Sequence, residues 1–394
     1  MTVHATTQSD DYAGDWAVRL LQARAARRWP ELRNTGFAIR LPGGRTLTIG
    51  DRAEATIVVV RRSGVLALAS MDGTRIGEAY RSGALDLEGD PRAILSLREH
   101  FADRHPLTSW WRFMRPRLFG QTRSDAEWIS QHYDHDAGFY LAFLDRDHRC
   151  YSHGFFERDD EPLETAIRRK LDFAIEAVGA RPGNRVLDIG TGWGAFTEHA
   201  GRRGIRVTGL TISKASELFV QSLIGEQHLP CEVRREHLFD HRSDQPYDAI
   251  VNLGVTEHLP DYRRTLAKYL ELLKPGGRVY LDASASRIRY DLSAFLLRYI
   301  YPGNGSLLSL SEYLAELART PLEVLQIQND RHSYALTALH WARNLDAHAE
   351  EVVRRWGAPL YRTFRLFLWG CADGFARDLL QAYHLVLERP VRHA

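Results

Sequence analysis

The chain of 394 residues contains only three cysteines and no long hydrophobic run. Cys150, Cys231 and Cys371 are far apart, so their spacing predicts neither a disulfide framework nor a cysteine-based zinc site. No stretch reaches the roughly 18 uninterrupted apolar residues of a membrane-spanning helix, and residues 1–11 have no apolar signal core. These absences predict a cytoplasmic protein whose contact with lipid is peripheral.

An excess of charge of one sign is also missing. The 52 lysines and arginines nearly balance the 50 aspartates and glutamates, which leaves a net charge of +2. This balance lacks the global basic signature of a nucleic-acid-binding protein, so no nucleic-acid partner is expected. The histidines at 132, 135, 148 and 153 have no convincing metal-ligand spacing with a third partner, so no metal is predicted.

The most informative stretch that is present is Val186-Leu-Asp-Ile-Gly-Thr-Gly-Trp-Gly194. An apolar run meets an acid and then three glycines, and a helix-like segment follows, which predicts a strand, a tight turn and a helix. Gly190, Gly192 and Gly194 can adopt positive φ and let a ligand lie directly against the backbone. By itself the pattern is shared by dinucleotide binders, S-adenosylmethionine (SAM) binders and ordinary turns.

Later segments separate these alternatives. A second predicted strand, Arg206 to Ser213, ends in Thr211 and Ser213, where an NAD-binding fold would usually place an acid for the ribose. Glu257-His258 and a Pro-Gly-Gly turn before a late apolar strand follow in the order typical of SAM-dependent methyltransferases. The order predicts an α/β, Rossmann-like class I methyltransferase rather than a dinucleotide oxidoreductase or a degenerate non-enzymatic domain.

The chain is predicted to contain a small first domain, a linker and a catalytic domain. Residues 1–107 read as a non-catalytic α+β domain with a helix from Trp16 and a hairpin from Phe37 to Ile49. Residues 108–123 interleave aromatic side chains with arginines, which is typical either of contact with an anionic membrane surface or of a linker packed between domains. Residues 124–394 form the predicted methyltransferase domain.

The catalytic domain carries apolar segments beyond its late strand. Residues 290–301 are apolar and aromatic, Ser309 to Glu312 reads as a capped helix start, and Arg331 opens a long helix. Residues 361–387 are predicted to form another helix. Inserted helices are expected over the active site, where they form either a lipid tunnel or ordinary core.

Taken together, the motifs resemble those of the cyclopropane-fatty-acid-phospholipid synthases, a family that includes mycolic acid cyclopropane synthases and related fatty-acyl C-methyltransferases. The resemblance runs from about Phe37 to Pro390, and its first part resembles the small N-terminal domain of longer bacterial members. The matching segments are His132-Tyr-Asp134, Tyr151-Ser152, the glycine loop, Thr211-Ile-Ser213, Gly254, Glu257-His258, Lys274-Pro-Gly-Gly277, Tyr299-Ile-Tyr-Pro-Gly303 and Ser333-Tyr-Ala-Leu-Thr337.

The resemblance implies SAM-dependent C-methylation at the double bond of an unsaturated fatty acyl chain of a phospholipid. The product is a cyclopropane or a methyl- or methylene-branched chain, and the location is peripheral, at the inner membrane face. Dimers and tetramers occur in this family, so a homo-oligomer is expected, although no stretch identifies an interface. The alternatives are a methyltransferase of a small soluble substrate and a non-catalytic lipid-binding subunit.

For SAM, the resemblance assigns the methionine end to Tyr151, Ser152 and the glycine loop. Thr211 and Ile212 are expected beside the ribose and adenine, and Asp240 is the candidate for the adenine amine. The cofactor-binding set is completed by Asp188, Gly190, Gly192 and Gly194.

In cyclopropane synthases a bicarbonate ion accepts the proton that the carbocation loses, in a pocket of Cys, Glu, His, Ile and Tyr. Here Glu257 and Tyr334 match the pattern. His153 stands at the Cys position, and Asp282 and Ser284 stand at the His and Ile positions. These departures predict that bicarbonate binding is altered or lost. Asp282 is then expected to take over some of the charge and to be a candidate base, or else to be a hydrogen-bonded neighbour, and the product is expected to be branched rather than cyclic.

Overall fold

The computed structural model describes residues 5–6, 16–28, 36–49, 53–95, 98, 136–287, 293–301 and 305–391. The chain divides into two compact units. The first comprises Met1–Pro106, Ser293–Ile300 and Ala349–Asp373, and the second comprises Leu107–Leu292, Tyr301–His348 and Gly374–Ala394. The basic-aromatic residues 108–123 and the segment at 132–134 lie outside the described residues.

The first unit contains a five-stranded sheet. Its strands are β1 (Ala5–Thr6), β2 (Phe37–Arg40), β3 (Thr46–Ile49), β4 (Ala55–Val59) and β5 (Leu85–Gly89), in the order β1-β3-β2-β4-β5. The β2–β4 pair is parallel and the others are antiparallel. The helices among its amino-terminal residues are Trp16–Arg28, Arg62–Ser70, Gly73–Arg81 and Pro91–Leu95. The predicted first helix and hairpin are therefore confirmed.

The first unit also takes in later stretches of the chain. The helix Ala294–Tyr299 packs so closely on Gly73–Arg81 that a Cβ built on Gly77 would lie 2.7 Å from the ring of Phe295. Helix Ala349–Trp356 and most of Ala358–Ala376 belong to the same unit. The first unit is thus assembled from more than the amino-terminal residues.

The second unit is built on a seven-stranded sheet. Its strands are β6 (Arg185–Ile189), β7 (Arg206–Thr211), β8 (Glu232–Arg235), β9 (Tyr247–Leu253), β10 (Leu273–Ala285), β11 (Glu323–Asn329) and β12 (Gln381–Glu388). The order is β11-β12-β10-β9-β6-β7-β8, parallel from β10 to β8, with β12 and β11 antiparallel. This sheet confirms the predicted α/β Rossmann-like class.

Helices flank this sheet, with Leu187, Ile250, Leu266 and Leu281 in its fully buried core. Because the carboxyl ends of parallel strands share one edge, ligands of such sheets bind beyond that edge. The helices that the structure describes in this unit are Ala137–Leu141, Leu163–Ala177, Ala195–Gly201, Lys214–Glu226, Tyr262–Leu272, Leu310–Leu317 and Arg331–Ala347, with a 3₁₀ turn at Thr256–His258. No helix in the described part of the chain has the length and apolar character needed to cross a bilayer.

The carboxyl-terminal part corrects the sequence-based prediction. The helix expected over residues 361–387 ends at Ala376, and Gln381–Glu388 forms β12, paired with β10. The period of a short apolar run does not distinguish a strand from a helix. Here the segment forms a strand because a distant strand is available to pair with it. Strand β11 was not predicted, and all seven of its residues are exposed, including the apolar Leu325 and Ile327. Ser309 occupies the N-cap of Leu310–Leu317, but its side chain makes no capping hydrogen bond.

Candidate active site

The glycine loop lies between β6 and the helix Ala195–Gly201. Gly190, Gly192 and Gly194 all adopt positive φ, of 71°, 53° and 80°. A Cβ built on Gly190 would lie 2.3 Å from Val255 Cγ2. A Cβ built on Gly192 would have space around it, because the one atom within 4 Å is the Gly190 carbonyl oxygen, at 3.9 Å. The loop thus presents exposed backbone at Gly192, where the prediction expects SAM to bind.

Asp188 supports the loop from its buried side. Its Oδ2 accepts a hydrogen bond of 2.8 Å from Thr197 Oγ1, which also lies 2.8 Å from Thr191 Oγ1. Burial raises the pKa of Asp188 to about 6, although the two threonine hydroxyls oppose the shift. In the structure Asp188 therefore fixes the conformation of the loop.

The end of β7 is tied to the same loop. Ser213 caps the helix Lys214–Glu226 by accepting from the Ser216 backbone N–H, and Ser216 Oγ donates to the Gly192 carbonyl at 2.6 Å. Thr211 and Ile212 immediately precede this cap, so the structure brings them to the loop. Asp240 lies in a turn after β8 with an exposed side chain.

Tyr151 and Ser152 lie against the end of β9. Gly254 has a φ of 68°, and a Cβ there would lie 3.3 Å from Ser152 Cβ. An aromatic cluster surrounds Tyr151 and extends to Trp193 in the glycine loop; it consists of Tyr140, Phe143, Tyr151, Trp193 and Trp341. The residues predicted for the methionine end of SAM are therefore gathered at one edge of the sheet.

Glu257, in the 3₁₀ turn after β9, and Ser284, near the end of β10, form a buried pair. Glu257 Oε1 accepts from the Ser284 backbone N–H at 2.7 Å and from its hydroxyl at 2.6 Å. Oε2 is buried without a hydrogen-bond partner. Burial raises the pKa of Glu257 to about 7, the bonds from Ser284 oppose this, and the charge of Asp282 adds to it. The carboxyl group is therefore partly protonated near neutral pH.

Asp282 is held by a residue that the sequence analysis missed. Fully buried Lys170 donates through Nζ to Ser152 Oγ at 2.5 Å, to Cys150 Sγ at 3.2 Å and to Asp282 Oδ2 at 3.4 Å. Burial alone would lower the pKa of Lys170, but the charges of Cys150 and Asp282 and hydrogen bonds to both raise it. Lysine is almost never fully buried unless it is paired, so a lysine on the apolar face of helix Leu163–Ala177 was the available signal.

His153 and Tyr334 form the other part of the site. Their rings stack with centroids 4.8 Å apart, and His153 Nε2 lies 3.1 Å from Asp330 Oδ2. Ser152 Oγ donates to Asp282 Oδ2 at 3.4 Å, so it connects the Asp282 side of the site to the segment that carries His153. All five predicted catalytic residues belong to the second unit. Asp330 and its second partner His384 were not predicted.

The residues present do not suit a bicarbonate ion. Ser284 uses both its N–H and its O–H for Glu257, and the three hydrogen bonds of Lys170 are taken by Cys150, Ser152 and Asp282. The position of the family's histidine carries a carboxylate paired with Lys170, which offers no hydrogen-bond donor to an anion. This agrees with the predicted change in bicarbonate binding. Among the described residues, no three His, Cys, Asp or Glu side chains are grouped to hold a metal.

The raised pKa of Glu257 gives a stability test. A carboxyl group with a pKa of 4.5 in the unfolded chain and about 7 in the folded one contributes most to stability below pH 4.5. That contribution is lost as the pH rises to 7, with an upper bound of about 3 kcal/mol. The free energy of unfolding is measured between these pH values for the wild type and for Glu257→Gln. It is expected to fall less with rising pH in the variant than in the wild type. Equal slopes in the two proteins would contradict the burial argument.

The comparisons with known proteins agree with this geometry. Residues 120–385 match the family model described as mycolic acid cyclopropane synthetase. The chain is 27% identical to a probable fatty acid methyltransferase of Pseudomonas putida over 381 residues, which covers 92% of this chain and 94% of that protein.

Two solved structures extend the similarity. The cyclopropane synthase MmaA2 from Mycobacterium tuberculosis superposes with a TM-score of 0.62 and 28% identity, covering 66% of this chain and 97% of that one. Mycolic acid cyclopropane synthase CmaA1, complexed with S-adenosylhomocysteine (SAH) and CTAB, has the same TM-score and coverage at 26% identity.

Proposed function

Because this chain belongs to the mycolic acid cyclopropane synthetase family, we propose that it methylates the double bond of an unsaturated fatty acyl chain carried by a phospholipid. The protein is a SAM-dependent methyltransferase. The proposed product is a cyclopropane or a methyl- or methylene-branched chain. The observation that carries the proposal is the group of buried Glu257, Asp282 and His153, with the half-buried ring of Tyr334 stacked on His153, connected through Ser152 to the edge predicted to bind SAM.

The chemistry needs an enclosed site of this kind. Bound SAM supplies an electrophilic methyl group on a sulfonium, and an alkene is a weak nucleophile that must be held in line with it, away from water. The carbocation that forms on the acyl chain is stabilised by aromatic faces and by fixed negative charge. Asp282 and Glu257 supply the carboxyl groups, and the aromatic cluster around Tyr151 supplies the rings.

The proposed roles follow from position. Tyr151, Ser152, Gly190 and Gly192 hold the methionine end of SAM, and Asp188 and Gly194 fix the loop. Thr211 and Ile212 lie beside the ribose and adenine. Asp240 keeps its proposed role at the adenine amine only if its exposed carboxylate turns towards the bound cofactor.

We extend the proposal to the location of the enzyme. If the substrate is a phospholipid, the enzyme is a cytoplasmic protein bound peripherally to the inner face of the membrane. Support comes from the sequence of residues 108–123, whose arginines suit anionic head groups and whose aromatic side chains suit the interface. A homo-oligomer remains part of the proposal.

The test is mass spectrometry of lipids after incubation with SAM and vesicles that carry monounsaturated chains. We expect the acyl chain to gain one carbon and two hydrogens, and to do so faster on anionic than on zwitterionic vesicles, because arginines near anionic lipid each contribute about 1 kcal/mol to binding. Fragmentation then distinguishes a ring from a double bond.

Vesicles of saturated lipid with the same head groups are the control and are expected to stay unmodified. If the lipid mass does not change while SAH binds in calorimetry, the acyl substrate is wrong and a small soluble acceptor replaces it. If SAH does not bind either, the protein is a non-catalytic lipid-binding subunit.

A further inference from the structure

One ring nitrogen of His153 has a partner and the other has none. Nε2 lies 3.1 Å from Asp330 Oδ2, while Nδ1 has no hydrogen-bond partner. The side chain is fully buried. Leaving a buried polar atom unsatisfied costs about 1–3 kcal/mol, so a partner that arrives with the substrate would remove this cost at Nδ1.

Asp330 determines which nitrogen of His153 carries the proton. Its Oδ2 also lies 2.7 Å from His384 Nδ1, and His384 Nε2 lies 3.2 Å from the amide nitrogen of Gln326, which can only donate. His384 therefore accepts at Nε2 and donates from Nδ1 to Asp330. Burial alone would raise the pKa of Asp330, but the hydrogen bonds from His153 and His384 lower it. An ionised Asp330 only accepts, so His153 donates from Nε2 and keeps a lone pair on Nδ1.

The plane of the imidazole is also fixed. Tyr334 stacks on His153 on one side and on Phe375 on its other side, with centroids 4.3 Å apart and an interplanar angle of 10°. The backbone N–H of Gly154 donates to Thr337 Oγ1 at 3.0 Å, which anchors the residue after His153 to helix Arg331–Ala347. With the ring plane and Nε2 both held, the direction of the Nδ1 lone pair is set before substrate binds.

We propose that His153 Nδ1 accepts the proton lost by the methylated acyl chain, and that Asp330 is the positioning residue that aims it. This inference rests on the proposed acyl substrate. Methyl transfer breaks the S–CH₃ bond and forms a C–C bond, which leaves a carbocation. A C–H bond then breaks, its electron pair closes either a ring C–C bond or a C=C bond, and the proton goes to Nδ1. The imidazolium is held against the Asp330 carboxylate, as in other His–Asp pairs.

This assignment replaces the base suggested by the sequence. Asp282 Oδ1 is also buried without a partner, but Oδ2 accepts from Lys170 and Ser152, so the carboxylate already neutralises a buried ammonium. His153 has no such partner at Nδ1, and a neutral imidazole with a free lone pair is the commonest general base in enzymes.

The first test compares turnover of the wild type with that of His153→Gln and Asp330→Asn. The glutamine amide can still donate to Asp330 but offers no basic nitrogen. We expect kcat to fall about 100-fold in His153→Gln, with the lipid KM and the SAH Kd within about threefold. In Asp330→Asn, kcat is expected to fall about tenfold or more. The double variant is expected to be no slower than His153→Gln, because Asp330 acts through His153.

The matched control is Asp172→Asn. Asp172 Oδ1 lies 2.7 Å from His199 Nε2, so the variant disrupts another carboxylate–histidine contact that has no place in the proposed machinery. Its kcat is expected to stay at the wild-type value. A His153→Gln enzyme at the wild-type rate, or independent multiplying effects in the double variant, would overturn the proposal.

A second readout needs no lipid. In a nitrogen-15 spectrum of histidine-labelled protein, we expect His153 to show an unprotonated Nδ1 and a protonated Nε2, assigned by its absence in His153→Gln. The opposite tautomer would contradict the proposed roles of Asp330 and His153, whatever the substrate is. The expected tautomer in a protein that modifies no lipid would count against the acyl substrate and not against the Asp330–His153 geometry.

Discussion

Gly190→Ala is expected to abolish measurable SAM and SAH binding. Two costs combine at this position: a non-glycine residue at a φ of 71° and a Cβ 2.3 Å from Val255 Cγ2. Backbone strain and overpacking each amount to roughly 1–3 kcal/mol, so relief by movement of the loop would displace the SAM cradle and weaken binding by about 100-fold or more. Isothermal calorimetry with SAH measures the loss directly.

Two further variants separate the clash from the strain. Gly179→Ala has nearly the same φ, 66°, but nothing lies within 4 Å of its Cβ, so SAH binding is expected to stay at the wild-type level. Val255→Ala combined with Gly190→Ala removes the contacting methyl group and is expected to recover part of the affinity. If the double variant recovers nothing, the close contact with Val255 is not the cause.

Lys170→Met is expected to destabilise the second unit by roughly 3–5 kcal/mol, the usual result of removing one partner of a buried ion pair. Methionine fills a similar volume, so packing is kept. The Asp282 carboxylate, however, is buried and loses the ammonium that neutralised it. Urea unfolding followed by tryptophan fluorescence measures the change, since Trp193 and Trp341 both lie in this unit.

The charge argument predicts the paired outcome. Adding Asp282→Asn to Lys170→Met removes the stranded carboxylate and is expected to restore most of the stability. Lys268→Met is the matched control: Lys268 is also buried, but its partner Glu271 is about half exposed and stays solvated, so a loss within about 1 kcal/mol is expected. Equal losses in the two lysine variants would mean that side-chain packing, and not the buried charge, sets the effect.

The sequence alone predicted the parts of the site that neighbouring residues determine. The β6 strand, the loop of Gly190, Gly192 and Gly194 and the following helix were predicted at the positions where the structure has them, because tight turns with positive φ leave a local pattern. The resemblance named Glu257, Asp282 and Ser284 as one pocket, and Glu257 and Ser284 are bonded to each other in the structure. Side chains two residues apart on a strand lie on the same face of the sheet, so the sequence already predicts that Asp282 and Ser284 of β10 are neighbours.

What the sequence could not decide depends on residues far apart in the chain. His153 and Asp330 are separated by 177 positions, and His384 reaches Asp330 because β12, where a helix was expected, pairs with β11, the strand that Asp330 follows. Local patterns report backbone conformation and burial, but not which buried polar groups meet. The sequence therefore determined the fold class, the SAM loop and the list of candidate residues. Only the tertiary structure decided that Lys170 neutralises Asp282 and that Asp330 orients His153, because buried charges are set by the neighbours that folding brings to them.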